Sequence, residues 1–315
     1  MRILTFLMFV LLMHQSLSLS VPQCHSCEQT SCNCSRENLT KVPAAPSKLI
    51  TELDLSFNRL GTIRKNDFVA YASLQSLIMN NNRIKTIQEQ AFVPLSNLEK
   101  LDLSLNRLDT LSAGWFKNLF SLQYLNLLGN RYNTLGQGNL FQPLKRLKTL
   151  HFGGPYLQSV KKSDFSGLSG LEAIIFDGQN LHFYTEGSLR QIGPIKYVTL
   201  GLNGPFQRNQ SLVGAILSDV VHPDTTLTFT DTWFITKNQM IPFKVAFNGG
   251  TTRVILKNNN ITVTACLAFL KLLSNSIINM FALEDTKFFF IHLSDITYPQ
   301  SMDHLETVVL KNIDV

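Results

Sequence analysis

Apolar residues recur along this chain in the pattern L-x-x-L-x-L-x-x-N-x-L-x-x-L, which returns every 24 residues. Successive copies start at Ile50, Leu74, Leu98 and Leu122. This period lies within the range of leucine-rich repeats, roughly 20–29 residues. Each L-x-L core predicts a short strand whose leucines face inward, since side chains alternate along a strand. The chain is therefore predicted to form an α/β leucine-rich-repeat solenoid, or horseshoe, with a parallel β-sheet on its concave face.

Two columns of identical residues accompany this pattern. Asparagines occupy one position in each of the first four repeats: Asn58, Asn82, Asn106 and Asn130. An asparagine side chain can satisfy backbone groups wherever each coil turns, so we expect a hydrogen-bonded ladder. Phenylalanines fall near another common phase, which predicts a core column on the convex side: Phe68, Phe92, Phe116, Phe141 and Phe165.

The pattern loosens after the fourth repeat. Strand cores continue at Leu150, Ile174, Val198, Leu227, Val254, Phe281 and Val308, but only Asn203 and Asn259 still occupy the asparagine column. The last repeats are 27–29 residues long. We therefore divide the solenoid into regular repeats over residues 50–146 and irregular central repeats over 147–315. This irregularity indicates either ordinary repeat drift or a site built where the regular solenoid breaks.

The tenth repeat is unusually apolar. It contains Phe281, Leu283 and three consecutive phenylalanines, Phe288 to Phe290. Alternation predicts that Phe288 and Phe290 are buried while Phe289 faces the other way. The surplus of apolar side chains fits either a pocket for an acyl chain or extra core filling beneath a long convex loop. The preceding residues 267–273 have the pattern of an amphipathic helix on the convex side of repeat nine.

Residues 1–20 have the pattern of a secretory signal peptide: Arg2, an apolar stretch over residues 3–13, and small residues near position 20. Residues 21–49 form a predicted N-terminal cap that contains four cysteines: Cys24, Cys27, Cys32 and Cys34. Two disulfides are expected in a secreted chain, whereas the C-x-x-C spacing also allows a zinc site. Of three possible pairings we favour the interleaved one, Cys24–Cys32 with Cys27–Cys34. Cys266 is left as a small buried residue.

Sequons for N-linked glycosylation support the extracellular route. The candidate acceptors are Asn38, Asn209 and Asn260, while the sequon at Asn33 lies between two cap cysteines and is a poorer acceptor.

Composition narrows the function classes. The chain is 44% hydrophobic and 16% charged, which is typical of a folded protein. Its net charge of +6 is spread along the sequence without a basic run, so we expect no nucleic-acid partner. The sequence contains no G-x-S-x-G, P-loop, H-E-x-x-H or G-x-G-x-x-G motif, and we predict neither a cofactor nor a metal. These features favour a recognition protein over an enzyme.

The segment Trp115-Phe116 and the run from Leu122 to Tyr132 resemble ectodomains of the Toll-like receptor family, in its lipopeptide-sensing branch. The similarity extends to the segments from Thr134 to Gly136 and Leu140-Phe141. It implies an innate immune receptor that binds bacterial di- or triacylated lipopeptides and pairs with a type-1 or type-6 relative at the plasma membrane. In that family the acyl chains enter a convex-side pocket. Matching positions imply a near wall here: Leu267, Leu283, Phe288, Val308 and Leu310.

The chain ends at Val315, within the eleventh repeat, before a second cysteine cap, a membrane helix or a signalling domain. We therefore expect the N-terminal part of an ectodomain, soluble by itself, with an exposed apolar end. The alternative is a secreted leucine-rich-repeat matrix or decoy protein that binds other proteins. Matrix proteins keep the asparagine column throughout, whereas six of eleven repeats keep it here.

Overall fold

A computed structural model describes residues 24–136, 138–248, 250–289 and 304–314. Most of its strands form one 13-stranded sheet whose order follows the chain. This sheet starts with an antiparallel hairpin of β1 (Ser26–Cys27) and β2 (Ser31–Asn33), and β2 then pairs in parallel with the first repeat. The predicted signal peptide, residues 1–20, lies outside the described residues.

Each of the eleven repeats contributes one strand to this sheet. These strands are β3 (Glu52–Asp54), β5 (Ser76–Ile78), β7 (Lys100–Asp102), β8 (Tyr124–Asn126), β9 (Thr149–Gly153), β11 (Ala173–Asp177), β13 (Tyr197–Gly201), β14 (Thr226–Thr230), β16 (Arg253–Lys257), β18 (Met280–Glu284) and β20 (Thr307–Lys311). Parallel register aligns the repeats, so that Leu53 lies beside Leu77 and Leu77 beside Leu101. The predicted leucine-rich-repeat solenoid is confirmed.

Shorter sheets run along the side of the solenoid. Their strands are β4 (Thr62–Ile63) with β6 (Thr86–Ile87), β10 (Ser159–Val160) with β12 (Phe183–Tyr184), and β15 (Trp233–Phe234) with β17 (Asn260–Thr262) and β19 (Lys287–Phe289). Their pairing is also parallel, as expected for equivalent segments of successive coils.

The asparagine ladder forms over the first four repeats. Asn106 is typical: its Nδ2 donates to the carbonyl oxygens of Met79 (2.9 Å) and Leu103 (3.1 Å), and its Oδ1 accepts from the N–H of Ile84 (3.0 Å). Asn58 makes the same connection from the first repeat to the cap, where its Nδ2 donates to the carbonyl of Cys34 at 2.8 Å. All four asparagines are buried.

One predicted member of this column has a different role. Asn203 lies at the start of a helix, and its Oδ1 accepts from the N–H of Trp233 in the next repeat. The chain turns into this helix directly after β13, which carries the side chain away from the ladder position. Asn259 does belong to the ladder, since its Nδ2 donates to the carbonyl of Phe229 and its Oδ1 accepts from the N–H of Thr232.

Convex segments differ between the two halves of the chain. The 3-10 helices are short: Val69–Tyr71, Ala113–Trp115, Lys162–Phe165, Arg190–Ile192 and Lys237–Met240. The described α-helices all follow the seventh strand of the repeats: α1 (Asn203–Arg208), α2 (Gln210–Val220), α3 (Phe243–Asn248) and α4 (Val263–Leu273). Their extra residues match the longer repeats. The predicted helix over 267–273 lies within α4, whose N-terminus is capped by the hydroxyl of Thr262.

The N-terminal cap contains two disulfides, but their pairing is nested. Cys24 bonds to Cys34 and Cys27 to Cys32, so the interleaved pairing that we favoured is wrong. The β1–β2 hairpin makes Cys27 and Cys32 direct partners with Cα atoms 4.1 Å apart, and this brings their sulfur atoms within bonding reach. Cys32 and Cys34 are buried against the first repeat.

None of the helices within the described ranges combines the length and the apolar character needed to cross a membrane.

Candidate ligand-binding site on the convex side

The phenylalanine column of the regular repeats gives way to an aromatic cluster beneath the convex helices. Phe68, Phe92, Phe116, Phe141 and Phe165 are fully buried, as predicted. Farther along, Phe206 of α1 contacts Phe243 of α3, Phe243 contacts Phe269 of α4, and Phe269 contacts Phe281 of β18. The ring centroids of these pairs are 5.1–5.6 Å apart. A continuous apolar layer therefore joins repeats seven to ten.

A small cavity of about 30 Å³ lies at the end of this layer, beneath α4. The helix contributes Cys266, Phe269 and Leu270, and the concave-face strands contribute Phe281 and Leu283. Its remaining lining residues are also apolar: Phe234, Met240, Leu256, Ile261 and Ala265. Because no charged or amide side chain lines it, this cavity suits a hydrocarbon group and not a polar ligand.

The cavity is small for a ligand. Sites for small molecules typically enclose roughly 300–1,000 Å³, which is at least about ten times more. In this conformation the side chains of α4 and of the strands beneath it close the space almost completely. A longer apolar group would need this space to widen.

The five residues predicted for the near wall do not all meet here. Leu283 lines the cavity. Leu267 of α4 is half-buried outside it, and Phe288 of β19 is half-buried against the core. Val308 and Leu310 are 56% and 65% exposed on β20, where they lie beside Phe281 and Leu283.

Several lining residues were missed by the sequence reasoning. Phe269 and Leu270 follow Cys266 at helical spacings of three and four residues, a signal that was visible in the sequence. Phe234 and Met240 had no such signal, because they reach the cavity from a side strand and a 3-10 helix of the preceding repeat.

Cys266 is the free cysteine of the chain, since the other four form the cap disulfides. Burial raises the pKa of its thiol. The fraction of Cys266 that is in the reactive thiolate form at neutral pH is therefore smaller than for an exposed cysteine.

The concave face carries a polar group of side chains near the middle of the chain. The hydroxyl of Tyr124 lies 3.2 Å from Nδ1 of His151, and Asn126 donates to Asp102 on the next strand. Burial lowers the pKa of His151, and burial followed by the charge of Asp102 raises the pKa of Tyr124. Both shifts favour the neutral forms, so the pair offers hydrogen bonds to a partner but no activated nucleophile.

The predicted glycan acceptors occupy three different settings. Asn38 is exposed in the cap. Asn209 is exposed between α1 and α2, and its Oδ1 caps α2 by accepting from the N–H of Leu212 at 3.1 Å. Asn260 is half-buried in β17, on the side of the solenoid.

Comparison with known proteins agrees with this architecture. A family model described as leucine rich repeat matches residues 72–132. Toll-like receptor 2 type-2 of Gallus gallus is 37% identical over 200 residues, which cover 63% of this chain and 25% of that receptor. Toll-like receptor 2 of Macaca fascicularis is 35% identical over 255 residues (79% of this chain, 31% of the receptor), and that of Mus musculus is 40% identical over 188 (58% and 24%).

The chain thus spans between a quarter and a third of the length of these curated relatives. The family model lies within the regular repeats, and a match of 255 residues must extend into the irregular ones. The chain belongs to the Toll-like receptor family and corresponds to the N-terminal part of a type-2 ectodomain.

Proposed function

We propose that this chain is part of an innate immune receptor that recognises bacterial lipopeptides by binding their acyl chains beneath α4. The apolar cavity lined by Phe269, Phe281 and Leu283 is the observation that carries this proposal. It lies within the irregular repeats beneath a convex helix, and all its lining side chains are apolar. The function is recognition by binding, without catalysis and without a cofactor.

Entry of an acyl chain requires the site to widen. The helix α4 covers the cavity through apolar contacts made by Cys266, Phe269 and Leu270, and such contacts are not directional. An acyl chain can replace them with contacts of the same kind as α4 moves outward. The energy needed to separate these side chains is then offset by burial of the lipid, about 0.8 kcal/mol for each CH₂ group.

Residues beside the cavity complete the near wall of the widened site. We assign this role to Leu267, Phe288, Val308 and Leu310 together with Leu283. Val308 and Leu310 lie on β20 beside the lining residues Phe281 and Leu283. The ligand class is di- or triacylated lipopeptide, and a Toll-like receptor of type 1 or type 6 is the proposed partner in a heterodimer on the extracellular side of the plasma membrane.

The test is lipopeptide binding by an ectodomain that contains this chain, with Leu283→Asp compared to the unaltered protein. A carboxylate in the apolar cavity should weaken binding at least about tenfold, because its burial costs well over 1.4 kcal/mol. Leu310→Asp changes the near-wall residue beside Leu283 on the neighbouring strand and should also weaken binding. Val69→Asp is the matched control, since Val69 is 60% exposed in the first repeat.

Circular dichroism and a thermal melt establish that each variant is folded. Binding that survives both Leu283→Asp and Leu310→Asp would contradict the proposed site. A folded, unaltered ectodomain that binds no lipopeptide would contradict the ligand class and would leave a secreted repeat protein that recognises other proteins.

A further inference from the structure

The outer face of the side sheet β15–β17–β19 carries an exposed aromatic pair. The ring of Trp233 stacks on that of Phe289, with centroids 5.9 Å apart and planes inclined by 16°. Trp233 is 49% and Phe289 45% exposed, whereas their neighbours Phe234 and Ile261 face inward and line the cavity. The two faces of this sheet therefore differ: one closes the core, and the other presents aromatic rings to water.

The glycan acceptor Asn260 lies on that same outer face. It belongs to the middle strand, with Trp233 as its Cα partner on one side and Lys287 on the other. Phe289 is the partner of Thr262, two residues farther along the strand. Since Trp233 and Phe289 lie on the two outer strands, their rings meet across β17, the strand that carries Asn260.

The side chain of Asn260 is available for modification. Its backbone N–H donates to the carbonyl of Thr232, but its amide group makes no hydrogen bond within the described residues. A sugar on Nδ2 would therefore break no contact of the fold. Asn209 differs, because its side chain already caps α2.

We propose that an N-linked glycan on Asn260 lies on the Trp233–Phe289 pair and covers this side of repeats eight to ten. The apolar face of the first N-acetylglucosamine packs against the aromatic rings, and its C–H groups meet their electron-rich faces. A covalently attached sugar is present at high effective concentration, so it occupies the rings ahead of any separate partner. This inference does not depend on lipopeptide binding, because it concerns the opposite face of the side sheet.

Two measurements on protein secreted by cultured animal cells test the proposal. Mass spectrometry of the peptide that contains Asn260 reports occupancy, and acrylamide quenching of fluorescence reports exposure of Trp233. The second tryptophan, Trp115, is only 6% exposed and contributes little to quenching. Asn260→Gln should preserve the fold and raise the quenching constant about twofold, since the uncovered ring is half exposed.

Asn38→Gln is the matched control: it removes a glycan acceptor at the other end of the 13-stranded sheet and should leave quenching unchanged. A second variant, Trp233→Leu, keeps the sequon but removes the larger ring. Enzymatic release of the sugar from Asn260 in the folded protein should then become faster. An unmodified Asn260, equal quenching with and without the sugar, or an unchanged rate of release would each overturn the proposal.

Discussion

The asparagine column shows what a single residue contributes to this solenoid. Each ladder asparagine is buried and bonds to backbone groups of its own coil and of the preceding one, as Asn82 does to Met79 and Leu55. The column could be predicted because one residue type recurs at a fixed phase. The exception, Asn203, occupies the right phase but begins a helix, and the pattern of asparagines alone gave no sign of this.

A second feature at the scale of single residues was not predicted from the sequence: a left-handed backbone conformation next to the ladder. In most repeats the residue before the ladder position has a left-handed backbone, for example Leu105 (φ 53°), Asp231 (φ 55°) and Asn258 (φ 52°). Leu202, before Asn203, is an exception with φ −120°. Asparagine, aspartate and glycine tolerate this conformation best. They fill the position in the later repeats, where Asn312 donates to Asp285 of the previous coil at 2.9 Å. This preference was a readable signal that the turn persists where the ladder asparagine is lost.

The first prediction concerns the ladder itself. Replacing Asn106 by alanine removes the partner of the Ile84 N–H and of the Met79 and Leu103 carbonyls, all within the core. We expect the free energy of unfolding to fall by about 2–3 kcal/mol, since buried backbone groups lose their hydrogen bonds. Urea unfolding followed by circular dichroism measures this loss.

Asn97→Ala is the matched control, because Asn97 is exposed and its one hydrogen bond, to the carbonyl of Ala72, is long at 3.4 Å. Its free energy of unfolding should change by less than about 0.5 kcal/mol. Equal losses for the two variants would contradict the role assigned to the ladder.

At the scale of elements, strands were far easier to predict than connections. Every predicted strand core lies in a strand of the main sheet, because alternation of apolar residues sets the register directly. The helix α4 was also predictable, since residues 267–273 repeat with helical spacing. The side sheets and the 3-10 helices were not predicted, because strands of two or three residues carry too few side chains to show a period.

The cap illustrates how local pairing decides connectivity. Four closely spaced cysteines left three pairings open, and the hairpin β1–β2 selects one by placing Cys27 opposite Cys32. Cys24 then bonds to Cys34. The backbone carbonyl of Cys34 accepts a hydrogen bond from Nδ2 of Asn58, which connects the cap to the first repeat. The spacing of the cysteines did not predict this hairpin, because its two strands contain only five residues and such short strands show no recognisable pattern.

The second prediction follows from this nested pairing. The Cys24–Cys34 bond spans 10 residues and the Cys27–Cys32 bond spans 5. Replacing both members of the longer pair by serine should therefore destabilise the protein more than replacing the shorter pair, by about 0.6 kcal/mol from loop entropy. Chemical denaturation of the two double variants measures the difference.

Thiol titration of the same proteins checks the connectivity. Each double variant should retain one intact disulfide, so that Cys266 is its only titratable thiol. Two additional thiols in the Cys24→Ser/Cys34→Ser protein would show that Cys27 and Cys32 are not partners.

At the scale of the whole molecule, the solenoid divides into a regular scaffold and a part that holds an apolar space. The sequence predicted an irregular second half, and the structure places convex helices and an aromatic cluster there. Of the five predicted wall residues, only Leu283 lines the cavity, because the other walls come from α4 and from the repeat before it. Such contacts join residues distant in sequence, and a repeat pattern describes each coil only by itself.

Cys266 can report whether an acyl chain enters the cavity beneath α4. This thiol lines the cavity and is the free cysteine of the chain. The most direct measurement is its rate of alkylation, followed by mass spectrometry, in an ectodomain that contains this chain. Saturating lipopeptide should slow alkylation strongly, whereas the same peptide without acyl chains should have no effect. An unchanged rate at a lipopeptide concentration that saturates binding would contradict entry beneath α4, since the acyl chains would then lie elsewhere.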